Sequence, residues 1–136
     1  MPATYALDVV TPERVLLSEQ VINTIAPGSE GQMGVLAGHA PLMTELVPGE
    51  VLVTLADGRT TSHIVISGGF MEVTAERTTI LADSAERADE IDRTRAEADL
   101  AAARQMLAAA EAGSTTEVEA RQALAHAETR VRVARN

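Results

Sequence analysis

The chain has 136 residues, a formal charge of -9 and a pI near 4.7, which excludes nucleic acid and an anionic membrane surface as main partners because like charge repels them. It has no cysteine and all eleven basic residues are arginine, so a disulfide frame, a thiolate nucleophile or metal site, a Walker A loop and a Schiff-base lysine are all excluded. Tyr5 and Phe70 are the only aromatic residues; the core must be built from Val, Ile, Leu, Met and Ala, and single-stranded nucleic acid finds no stacking platform.

The N-terminal stretch Met1-Pro2-Ala3-Thr4-Tyr5 lacks the basic and apolar regions of a signal peptide and the Arg/Ser-rich character of a transit peptide, and no apolar run reaches membrane-spanning length. Through about Leu81 the chain then reads as short apolar or alternating segments at a spacing that suits an all-β sandwich. The expected strands are Tyr5–Val10, Arg14–Glu19, Val21–Ala26, Gln32–Val35, Leu42–Leu46, Glu50–Leu55, Thr60–Ile66, Phe70–Thr74 and Thr78–Leu81. Ala56-Asp57-Gly58-Arg59 supplies a tight hairpin turn, and Pro48-Gly49 and Gly68-Gly69 supply further breaks.

Beyond Asp83 the composition shifts to Ala, Glu and Arg without Gly or Pro until Gly113, which predicts a long helix over about Asp89–Ala112. Ser114-Thr115-Thr116-Glu117 fits a capping box that opens a second helix. Matching seams run along both, Ala96, Leu100, Ala103, Leu107 and Ala110 on the first and Ala120, Leu124, Ala127, Val131 and Ala134 on the second, at coiled-coil spacing. Joined by a Gly-containing turn, the two helices should fold back as an antiparallel hairpin. With only Leu100, Leu107, Leu124 and Val131 to bury ~1.5–3 kcal/mol each, less the ordering entropy, that hairpin is expected to be marginally stable alone. The expected organisation is therefore a β-sandwich domain over residues 1–85 followed by a helical hairpin over residues 86–136.

The most informative stretch is Gly28-Ser29-Glu30-Gly31-Gln32-Met33-Gly34-Val35-Leu36-Ala37-Gly38-His39-Ala40-Pro41-Leu42-Met43-Thr44. Its glycines lead into strand-like Val35-Leu36 and not into a helix N-terminus, so it is not a phosphate cradle. His39 sits beside Pro41 with no ligand-like spacing to His63 or His126, and no catalytic or metal role is assigned to it. Taken with Thr11-Pro12-Glu13-Arg14, Gly68-Gly69-Phe70-Met71-Glu72-Val73 and Leu81-Ala82-Asp83-Ser84-Ala85 in the same order, the stretch resembles the epsilon subunit of bacterial F-type ATP synthases, and the resemblance spans the whole chain.

That resemblance implies a non-catalytic rotor subunit of a proton-translocating ATP synthase, peripheral on the cytoplasmic face of the bacterial inner membrane and not inserted in it. Its implied partners are the gamma subunit, the membrane rotor ring of c subunits and, when the hairpin extends, the alpha/beta catalytic head, whose ATP hydrolysis it restrains. Subunit contacts are implied for Glu30, Gly31, Gln32 and Met33 and for His39, Ala40, Pro41 and Leu42, with Gln32 standing where some relatives carry an acid. The arginines late in the second helix, Arg130, Arg132 and Arg135, are implied contacts of the extended arm. They also suit the negative end of the helix dipole.

Ile91-Asp92-Arg93-Thr94-Arg95-Ala96, with Glu86 upstream, resembles the motif through which some bacterial epsilon subunits bind ATP. Arg95 can pair with a phosphate through two parallel hydrogen bonds, and Arg130 falls in register on the second helix. Ala102 and His126 stand where those relatives carry further arginines, so ATP is expected at most as a weak regulatory ligand and no cofactor is required. A competing account makes Asp92 and Arg95 a docking pair between hairpin and sandwich. From another class, the alternative is a freestanding module that senses a nucleotide. Turnover is not expected, because the paired acids Asp89 and Glu90 sit at a helix start where acids are favoured structurally.

Overall fold

The computed structural model describes residues 3–134. Nine strands come first: β1 (Tyr5–Val10), β2 (Val15–Gly28), β3 (Gly31–Val35), β4 (Leu42–Leu46), β5 (Gly49–Leu55), β6 (Thr61–Ile66), β7 (Gly69–Val73), β8 (Arg77–Ala82) and β9 (Ala85–Arg87). A single 3-10 turn over Ala88–Glu90 leads into α1 (Arg93–Ala109) and α2 (Thr115–Val133). The strands follow the order β1-β8-β7-β4-β2-β5-β6-β9, with β3 beside β2. β1 also pairs with β2, so the sheet folds over on itself into a sandwich.

The fold-over depends on β2. Its first half pairs antiparallel with β1, its second half with β3 and β5, and its last residue with β4. The sequence suggests two strands there, Arg14–Glu19 and Val21–Ala26; instead one strand of 14 residues runs through both. The register with β5 shifts between Val21 and Asn23, and such an irregularity bends a strand and raises its twist. The polar run Ser18-Glu19-Gln20 within β2 faces water.

Alternating residues meet inside. Leu7, Val9, Val21, Val51, Val53, Ile64, Ile66, Met71 and Ile80 are wholly buried, an aliphatic core as the composition requires. Tyr5 is its one aromatic member; its hydroxyl donates to the Val35 carbonyl at 2.9 Å and lies 2.7 Å from the Thr24 hydroxyl. These partners satisfy a polar group that burial would otherwise leave costly. The Asp57-Gly58 turn joins β5 to β6 as expected, with Asp57 Oδ1 accepting the Arg59 and Thr60 amides at 2.8 Å each.

α1 starts later and ends earlier than the Asp89–Ala112 expectation. β9 and the 3-10 turn take up residues 85–90, and Asp92 caps α1 by accepting the Arg95 amide at 3.1 Å. The capping box of α2 is half as drawn. Ser114 Oγ accepts the Glu117 amide at 3.1 Å, but the Glu117 carboxylate accepts from the Gly113 amide, also at 3.1 Å, one residue earlier than the motif predicts.

The helices pair through alanine. Ala96, Ala103, Ala120 and Ala127 are buried, whereas Leu100, Leu107, Leu124 and Val131 are only half-buried. Methyl-sized side chains let the backbones approach closely, and the larger residues are left along the flanks. The large apolar anchor is elsewhere. Val65 on the outer side of β6, Ala88, Ile91, Ala96 and Val133 form a second buried cluster, distinct from the sandwich core, that seats the hairpin on the sandwich.

Candidate functional site

Around that seat the structure gathers charge. Arg130, on the last turn of α2, has a side chain only 13% exposed. Its Nε donates to Glu86 Oε1 on β9 at 2.5 Å and its Nη1 donates to Asp99 Oδ2 on α1 at 2.8 Å. One guanidinium thus ties three elements together, and its fixed fork suits that geometry in a way a flexible ammonium would not. The other oxygen of Asp99 lies 3.8 Å from Arg95 Nε, a loose pair one turn along α1. Two residues further along α2, Arg132 Nη1 donates to Glu50 Oε1 on β5 at 3.3 Å, while Glu50 Oε2 accepts from His63 Nδ1 at 2.5 Å.

His126 lies one turn before Arg130, beside a groove of ≈ 280 Å³ between the two helices that Asp99, Ala102, Met106 and Arg130 also line. Burial, with the Arg130 charge second, holds its imidazole below the ordinary 6.5. At the entry to the hairpin Arg14 donates to both oxygens of Glu90 at 3.0 Å, and this pairing, with the Arg87 amide at 2.8 Å, holds the Glu90 carboxyl below its usual range. Arg87 also donates to the Leu16 carbonyl.

The expected nucleotide residues therefore fall into separate surroundings. Glu86 and Arg130 are bonded to each other. Ile91 and Ala96 are wholly buried in the apolar seat, Asp92 serves as the α1 cap, and the Arg95 side chain is 75% exposed. Asp92 and Arg95 meet only through that cap, so the pair that docks hairpin to sandwich is Arg130 with Glu86 and not Asp92 with Arg95. Asp99 was not singled out from the sequence, although its position four residues after Arg95 is the helical ion-pair spacing. Arg135 lies outside the described residues.

The two expected contact segments occupy opposite ends of β3, roughly 16 Å apart for five residues of strand. Glu30, Gly31 and Gln32 are exposed at the β2–β3 turn, while Met33 packs against the core. In the loop after β3, Ala40 and Pro41 are exposed, Leu42 leans on the core, and His39 Nδ1 donates to the Ala40 carbonyl at 2.7 Å. Leu36 and Met43 beside that loop are exposed.

A third surface was missed. Cross-strand register aligns Glu45, Phe70, Leu81, Val10 and Val15 in one rung across β4, β7, β8, β1 and β2. Directly paired residues share a face, and Phe70, Leu81 and Val15 are 51%, 52% and 62% exposed. They lie far apart in sequence; only pairing order makes them a patch. Among the described residues no acid and histidine cluster could hold a metal, and no helix is long and apolar enough to cross a membrane.

Comparison with known proteins fits this layout. A family model described as the ATP synthase delta/epsilon chain, beta-sandwich domain, matches residues 4–88. Proteins named ATP synthase epsilon chain from Brucella canis and Brucella melitensis biotype 2 are each 50% identical over 92 residues, covering 68% of this chain and 67% of the relative. A chain in the cryo-EM structure of Euglena gracilis mitochondrial ATP synthase superimposes with a TM-score of 0.80 at 29% identity, over 95% of this chain and 80% of that one. A chain of the Tetrahymena thermophila mitochondrial ATP synthase central stalk and c-ring gives a TM-score of 0.60 at 15% identity over 97% and 94%, a likeness of fold.

Proposed function

Since the chain belongs to the ATP synthase delta/epsilon family, as an epsilon-type central-stalk subunit with no catalytic site of its own, we propose that its sandwich joins the gamma subunit to the rotor ring and its hairpin restrains ATP hydrolysis. The observation that carries the first half is the apolar rung in which Phe70, Leu81 and Val15 are exposed beside half-buried Val10, a surface that a monomer leaves in water and a neighbouring subunit would cover. The exposed Glu30–Gln32 turn and the Leu36–Pro41 loop lie a strand's length apart, which suits contact with two different partners. The restraining role is supported by a hairpin whose seat is small and whose ties to the sandwich are few and ionic. On this reading the arm rests as described and, on release, carries Arg130 and Arg132 towards acidic surfaces of the alpha/beta head.

Leu81→Glu tests the docking half. The side chain is exposed, so the fold should keep its stability within about 0.5 kcal/mol. A charge buried at the centre of an interface should cost ~2 kcal/mol or more, which is at least a tenfold loss of affinity for the gamma subunit in a pull-down or titration. Unchanged affinity would place that contact on another face.

Nucleotide binding is a second, weaker proposal. The exposed Arg95 guanidinium and the interhelical groove favour it, but Arg130 is already held by two carboxylates, and a phosphate must displace them. Titration of the full chain with ATP, followed by amide NMR over residues 91–96 and around Arg130, is expected to show shifts only towards millimolar nucleotide. Absence of shifts throughout would leave a purely mechanical coupler and inhibitor.

A further inference from the structure

We propose that His126 is a proton-operated release for the hairpin, so that acidification loosens the seat that Arg130 holds closed. This rests on the reading of the hairpin as a movable arm. The ring sits on the α1-facing side of α2 and makes no hydrogen bond to any described residue. Neither ring nitrogen is fully buried, so a proton can reach it through the groove. Arg130 faces it from its own helix, Asp99 from α1 and Glu86 from β9. The two carboxylates are already engaged by Arg130 at 2.8 and 2.5 Å. An imidazolium would compete with Arg130 for them and add a second cation in a half-buried space where screening is weak.

The sign follows from the direction of the shift. In the seated hairpin the imidazole is held below 6.5, by burial first and Arg130 second, so seating favours the neutral ring. Its contribution is whole above pH 6.5 and is lost as the pH falls below that through the depressed value. A released arm, with the ring in water, takes up the proton freely. His63, the other imidazole near the joint, shares Glu50 with Arg132 of α2, so its replacement is the control that separates the two imidazoles.

Methyl NMR of the full chain, read at Ile91, Val65 and Val133 in the seat, reports the ratio of seated to released hairpin. The wild-type ratio should fall several-fold between pH ~7.5 and ~5.5, either side of the imidazole range. His126→Gln should abolish that fall and His63→Gln should retain it. Arg130→Ala, which removes the tie itself, should be released already at the higher pH. A wild type that stays seated at the lower pH while Arg130→Ala is released overturns the proposal alone, as does an undiminished fall in His126→Gln. An Arg130→Ala chain that stays seated at both pH values overturns the movable arm and the proposal together.

Discussion

Gly69→Ala is expected to cost the sandwich ~3 kcal/mol or more, lowering its Tm by at least ~12 °C for a domain of this size. Gly69 opens β7 with φ at +144°, and a Cβ there would stand 2.1 Å from the Leu81 carbonyl oxygen and 2.9 Å from the Ala82 Cα. Both obstacles are backbone atoms of the paired strand β8. Neither can rotate away as a flexible side chain would. Relief requires β7 and β8 to part, which would disturb Met71 and Ile80 in the core. Gly31→Ala is the matched control, since Gly31 also has a positive φ, of 124°, but nothing lies within 4 Å of its Cβ position. It should lose only the conformational preference, roughly 1–2 kcal/mol. Thermal or urea unfolding of both variants decides the matter: equal losses would mean that backbone conformation and not close approach governs Gly69.

Ile91→Ala is expected to unseat the hairpin while leaving the sandwich folded. Ile91 is wholly buried, yet it belongs to the small cluster with Val65, Ala88, Ala96 and Val133 and not to the sandwich core. Truncating a buried isoleucine costs ~2–5 kcal/mol, and nearly all of that would fall on one joint. Two ties from α2 would remain, Arg130 to Glu86 and Arg132 to Glu50. The second is worth little, because Arg132 is 63% exposed and an exposed pair contributes ~0–1 kcal/mol. Amide exchange should therefore rise across α1 and α2 and stay unchanged in β1 to β8. On the proposed function, the same variant should inhibit ATP hydrolysis more strongly when assembled, since its arm is freed. Exchange rising equally in the sandwich would show that hairpin and sandwich unfold as one unit.

Much of the sandwich was legible because period-two alternation and turn residues are local signals. β1 and β4 coincide with their expectations, β5 and β6 differ by one residue at the start, and β8 differs by one residue at each end. β2 was misread because the polar run Ser18-Glu19-Gln20 resembles a loop, and only pairing with β1 keeps it extended. β9 was missed because Ala85-Glu86-Arg87 has no strand character; its pairing with β6 makes it one. In the hairpin, heptad spacing identified the seam but assigned its burial to the leucines. Close approach through alanine reverses that order.

The sequence by itself determined the fold class, the aliphatic core, the hairpin and the membership of an ATP synthase subunit family. These depend on composition, short-range periodicity and motifs a few residues long. Only the tertiary structure decided that Arg130 is held by Glu86 and Asp99, 44 and 31 residues away, that His126 shares their space, and that Phe70, Leu81 and Val15 are exposed along one rung. A charge's partners and an apolar residue's neighbours are set by which strands pair and how helices are seated. No local pattern in the chain encodes those distances.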